Sequence, residues 1–143
     1  MSFRDVKAYF KARLVTVDPK LREHLDGFNQ ENIPNNLLDK SWHLLDETTG
    51  RISQSQTCLL VNYPISLSVW LKGYKNPVGA LDTARDLSEA IIKECLKHSN
   101  RATQPFIKNI LFETMELSPL AQSNDNTIKI TLRFIALVGV NID

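Results

Sequence analysis

Two long runs of strict alternation constrain this chain more than any other feature. Leu59, Val61, Tyr63, Ile65, Leu67, Val69 and Leu71 put an apolar residue at every second position. Ile128, Ile130, Leu132, Phe134, Ala136, Val138 and Val140 repeat the pattern near the C-terminus. Successive side chains of a strand point to opposite faces, so period two means one buried face and one mostly wet face. Both runs read as strands, over 57–72 and 127–140. The first would span roughly 50 Å fully extended, about three times a common strand. Such strands bend, here at Pro64 and Gly139, or project past the core. Pro64 keeps the parity but cannot donate to a ladder, which predicts an edge position or a bulge.

A sheet with one apolar face must be covered, and two segments can cover it. In 2–17, Phe3, Val6, Phe10, Leu14 and Val17 form a stripe at helical spacing. Ser2 can cap this helix with Asp5 as its capping-box partner, and Asp18-Pro19 stops it. In 77–97, Leu81, Ala84, Ser88, Ile91, Ile92 and Cys95 follow the same repeat. Asn76 can cap that helix, with Pro77 at its first position. Between and after these, Ser41–Leu45 reads as a short strand. Phe106–Leu117 reads as a strand apolar on parts of both faces, and so as a central one. Residues 18–40 are polar and broken, with room for a helical turn near Leu21–Leu25. Residues 98–104 read as an exit loop. Asp46–Gln56 holds one apolar residue, Ile52, and reads as a long exposed loop or hairpin tip. The result is one α+β domain over 1–143. It is a two-layer sandwich with a mostly antiparallel or mixed sheet of about four strands and two helices on one face.

Chemistry finds little support in this pattern. The five glycines form no phosphate-cradling loop. His24, His43 and His98 lack metal-ligand spacing, and no nucleophile elbow occurs. Asp82 and Asp86 share a helix face, but Arg85 and Lys93 lie among them and a solvated face explains all four. Cys58 and Cys95 show no paired-cysteine spacing and read as buried free thiols in a reducing compartment. A net charge of +1 gives no general attraction to nucleic acid or membrane. No N-terminal apolar region suggests a signal peptide, and no apolar run reaches membrane-spanning length. The expectation is a protein made in the cytosol, with no enzymatic activity and no cofactor. The best electrostatic feature is the stripe Arg4, Lys7 and Lys11, which reads first as a solvated face, then as a dock for an acidic protein partner, and last as a nucleic-acid contact, for which it lacks interleaved aromatics or a recognised motif.

Three segments carry a resemblance. They are Asn32-Ile33-Pro34-Asn35-Asn36-Leu37-Leu38-Asp39-Lys40-Ser41-Trp42-His43, then Leu71-Lys72-Gly73-Tyr74-Lys75-Asn76-Pro77 with Ala80-Leu81-Asp82-Thr83-Ala84, then Ser123-Asn124-Asp125-Asn126 before the last strand. In this order and at this length the chain resembles the tail terminator proteins of long-tailed, non-contractile phages. That resemblance implies a virion structural protein without cofactor or reaction. It would form a homohexameric ring on the head-proximal end of the tail tube. Its partners would be its own copies, the tail tube protein and a head-side connector or stopper protein, with no specific nucleic-acid or membrane binding. Assembly would take place in the host cytoplasm. A neck or head-completion protein of the same virion, or a small host α+β binding domain, are the alternatives. The candidate interface residues are Arg4, Lys7 and Lys11 on the first helix, Glu47, Thr49, Arg51, Ile52 and Gln54 in the polar segment, and Asn124 and Asp125 before the last strand. The polar segment cannot offset roughly 1–2 kcal/mol of ordering entropy per residue by burying itself. It is expected to lie at a contact with a neighbouring subunit or the tube.

Overall fold

The computed structural model describes residues 3–23, 39–46, 52–54, 58–72, 77–101, 106–119 and 127–141. Helix α1 (Phe3–Val17) opens the chain. Strands β1 (Arg22–Glu23), β2 (Ser41–Asp46), β3 (Ile52–Gln54) and β4 (Cys58–Leu71) follow. Then come helix α2 (Pro77–Leu96), the single turn α3 (His98–Arg101), and strands β5 (Ile107–Pro119) and β6 (Ile128–Asn141). The sheet runs β1-β2-β4-β6-β5, and β3 pairs with β4 beyond the end of β2. β1 is parallel to β2 and every other pairing is antiparallel. This is the expected α+β sandwich, with six strands rather than about four because β1 and β3 hold only two and three residues.

The centre of the sheet is the β4–β6 ribbon, in register from Cys58↔Asn141 to Leu71↔Ile128 without a bulge. On the helix-covered face Leu67 lies opposite Leu132 and Val69 opposite Ile130, and all four are fully buried. Trp42 and Leu44 of β2 extend this face on one side, and Ile107 and Ile110 of β5 extend it on the other. From above, Val6, Phe10 and Leu14 of α1 and Ala84, Ile91 and Cys95 of α2 close the core. The aromatic rings of Phe10 and Phe112 pack on Phe134 at centroid distances of 5.3 Å and 5.6 Å. Toward the far end of β4, Tyr63 and Val61 are half-buried, while Ala136 and Val138 opposite them on β6 are fully buried.

Pro64 takes the edge option and not the bulge. β2 pairs with β4 from Ile65 to Trp70, β3 pairs with it from Leu59 to Val61, and Asn62–Pro64 face no described strand on that side. A missing donor there interrupts no β2 or β3 ladder.

Four expectations need correction. Phe106–Leu117 is not central: β5 is the outermost strand, beyond β6. Apolar residues on both faces suggested double cover, yet Leu111 on the open face is 52 % exposed and Met115 on the helix side is 44 % exposed. The polar segment 46–56 contains strand β3, paired from Ile52↔Val61 to Gln54↔Leu59, so that part of it is a hairpin arm. Near Leu21–Leu25 the described residues form a strand, not a helical turn, because the Arg22 N–H donates to the Lys40 carbonyl at 2.8 Å. The exit loop begins as α3, with the Asn100 N–H donating to the Lys97 carbonyl at 3.2 Å. The proposed caps Ser2 and Asn76 lie outside the described residues.

Leu132→Ala removes packing from a site with no exposed surface and should cost about 2–5 kcal/mol of unfolding free energy. Leu111→Ala should change it by no more than about 0.5 kcal/mol. Chemical denaturation of the two variants checks the contrast, and equal losses would overturn the register.

Candidate functional site

The amphipathic repeat of α1 sorts its polar residues by direction. Tyr9 and Arg13 face α2: the Tyr9 hydroxyl donates to the Cys95 carbonyl at 2.8 Å, and Arg13 lies 3.8 Å from the Glu94 carboxylate and 5.5 Å from the Tyr9 ring centroid. Lys7 faces the other way and pairs with Glu23 on β1. Arg4 and Lys11 are exposed. At 100° per residue, Lys11 lies about 200° around the helix from both Tyr9 and Arg13. Arg4 falls beside Lys11, so both cations sit on the flank turned away from α2. Val15, 46 % exposed, belongs to the same stripe.

Two polar clusters hold α1 in this pose. At its C-terminal end, Asp18 accepts the Lys20 N–H at 2.9 Å and the Lys40 ammonium at 3.1 Å. The bond from the Lys20 N–H, opposed by burial and reinforced by the Lys40 ammonium, holds the Asp18 carboxyl below its ordinary 3.8. Lys40 itself adopts a left-handed backbone (φ 56°), and its N–H donates to the Trp70 carbonyl at 2.8 Å. The helix end is thereby tied to the start of β2 and to β4. At the α2 end, a helix leaves its last carbonyls without intrahelical donors. Tyr9 serves the Cys95 carbonyl and the Asn100 amide serves that of Glu94 at 2.8 Å. The Glu94 carboxylate also accepts from Lys97 and Asn100, both at 2.9 Å, and these bonds lower its pKa. Burial pushes the Cys95 thiol up to about 12, which makes it an inert packing residue.

The opposite flank is the outer edge of β5, which pairs with no strand beyond it among the described residues. Its ladder to β6 shifts register at two points, between Ile107 and Asn109 and between Phe112 and Thr114. The extra residues are Lys108 and Glu113, both exposed. Bulges and charges are the usual devices that keep an edge strand from pairing with another strand. Glu116 lies on the open face, 3.5 Å from Arg133. Met115 lies opposite the buried Leu132, on the helix side, yet it remains open to solvent.

Of the sequence-derived interface residues, Arg4 and Lys11 sit together and Lys7 is drawn into the pair with Glu23. The backbones of Ile52 and Gln54 lie in β3, on the β1–β2 side of the ribbon. Glu47, Thr49, Arg51, Asn124 and Asp125 lie outside the described residues. The β5 edge was missed, although Met115 and Glu113 were visible in the sequence. Among the described residues no group of three metal-ligating side chains converges, and no helix is long and apolar enough to cross a membrane. His43 stands opposite Ser68 on the open face, and Asp82 pairs with Arg85 at 3.6 Å on exposed α2.

No protein-family model and no curated protein matches the chain. A solved structure does: a chain from the virion of a native gene transfer agent particle is similar in fold at a TM-score of 0.57 and 13 % identity. The match covers 89 % of this chain and 84 % of that one. At that identity the likeness is one of fold.

Asp18→Asn should lower stability by about 1 kcal/mol at neutral pH, the scale of a partly screened, charge-assisted bond. A carboxyl whose folded pKa is depressed contributes fully above its unfolded value and loses the contribution as pH falls through the folded one. The difference from wild type should therefore be flat above about pH 5 and vanish as the pH drops below 3.8. Thermal melts across that range measure it.

Proposed function

We propose that this chain is a structural protein of a phage-like virion that acts as a tail terminator. In this reading a ring of copies, six by the family resemblance, sits on the head-proximal end of the tail tube. It ends tube polymerisation and presents a surface to the head-side connector. The observation that carries the proposal is the fold likeness to a virion chain over 89 % of this chain and 84 % of the other, which makes the two modules of similar extent. The three resembling sequence segments point the same way.

The geometry fits the role. A ring needs a heterologous interface, in which one surface of each copy meets a different surface of the next. The domain offers distinct surfaces on its two flanks, a cationic helix face and a bulged strand edge. The far end of the β4–β6 ribbon, with β3 beside it, offers a third surface for a tube or a connector. Nothing in this role calls for a reaction, a cofactor or a metal. The similar chain is described only as part of a whole virion, so a neck or head-completion subunit satisfies the same likeness.

Purified protein added to polymerising tail tube protein should stop growth. Tubes measured by electron microscopy should shorten as the ratio of this chain to tube protein rises, with added density at one end. Unchanged tube lengths with binding to filled heads would move the chain to the neck. Unchanged lengths with neither binding would refute the proposal.

A further inference from the structure

We propose that copies of this chain join head to tail, the α1 flank of one copy docking on the β5 edge of the next. This rests on the ring reading above and names the surfaces that would close it.

The first support is position. α1 packs on α2 and reaches β1 through Lys7 and Glu23, while α2 packs on β5 and β6. The helical layer therefore runs α1 then α2 in the direction that the sheet runs β1 to β5. Arg4 and Lys11 face away from α2, and the β5 edge is the opposite boundary of the sheet. Two unlike surfaces on opposite flanks are what a heterologous contact requires.

The second support is charge. Arg4 and Lys11 are exposed and have no ion-pair partner among the described residues. On the β5 edge, Glu113 is exposed and unpaired among the described residues, and Glu116 is shared with Arg133. Lys108 lies toward the other end of the strand. Each flank also carries exposed apolar surface: Val15 at 46 % on α1, and Leu111 at 52 % and Met115 at 44 % on β5. Opposite charges around apolar contacts give both register and selectivity to an interface.

The third support is the form of the edge. Bulges with Lys108 and Glu113 spoil β5 as a template for an added strand. Met115, on the helix side of the sheet yet open to solvent, is placed to receive a helix instead. A neighbour's α1 would continue the helical layer across the subunit boundary.

The test uses two charge reversals, each on exposed residues: Arg4→Glu with Lys11→Glu, and Glu113→Lys. Self-association is read by sedimentation and on tail-tube ends, with melting temperatures as the control for folding. Each variant alone opposes like charges at every junction and should associate more than about tenfold more weakly than wild type. Mixed one to one, the two variants should recover assembly with strict alternation, because every junction is then complementary. A contact between two like flanks could not behave this way. Wild-type association by either variant alone, no recovery in the mixture, or a wild-type chain that stays monomeric both at high concentration and on tubes would each overturn the proposal. If the wild type caps tubes while the variants behave like it, the interface fails and the terminator reading stands. If the reversals behave as expected but tubes grow unchecked, the interface stands and the terminator reading fails.

Discussion

Everything in this domain hangs on the fourteen-residue antiparallel pairing of β4 with β6. One uninterrupted register aligns two apolar faces, and a slip of one residue would turn each strand's core side chains to the wrong side. β2, β3 and β5 attach to this ribbon, and both helices cover the face it defines. Leu67 and Leu132 meet at its centre, with no exposed surface on either. The helices add little to the specification of the sheet. They are placed by the side chains that the ribbon presents, Phe134 above all.

The second level of order is polar. α1 is fixed at one end through Asp18 and Lys40 and along its length through Tyr9, Arg13 and Lys7. Exposed pairs contribute little stability each. Their value here is directional, because they choose which face of α1 meets α2 and β1 and hence which face is left outward. The buried Tyr9 bond is of another kind: it serves a carbonyl at the end of α2 that no intrahelical donor reaches.

The ribbon and both helices were legible in the sequence because each is long and carries one unbroken period. The α1 stripe was legible for the same reason, which is why Arg4 and Lys11 were found. Lys7 was grouped with them because its partner, Glu23, comes from a two-residue strand with no periodic signal. β5 was misplaced for a physical reason. A run that is apolar on both faces is common to a central strand and to an edge strand whose apolar residues lie open, and local pattern cannot separate the two. Its bulges were invisible because a bulge is a relation between two strands. Glu113 looks like any other residue until Phe112 and Thr114 are seen to pair with Phe134 and Arg133. β3 was hidden for a similar reason, since two of its three residues are polar and only its pairing with Leu59–Val61 makes it a strand.

The gap at Asn62–Pro64 has an evolutionary meaning. β2 and β3 run in the same direction along β4, each in its own register, so together they behave as one strand cut in two. Five residues, 47–51, join them across three positions of β4. Residues added to or removed from that joint need shift neither register, and Pro64 stands where a continuous ladder would otherwise form. The alignment of β2 on β4 is thus set separately from the alignment of β3 on it. A substitution that loosened one of these arms would leave the other aligned, so the two stretches of β4 that hold them can diverge independently on one scaffold.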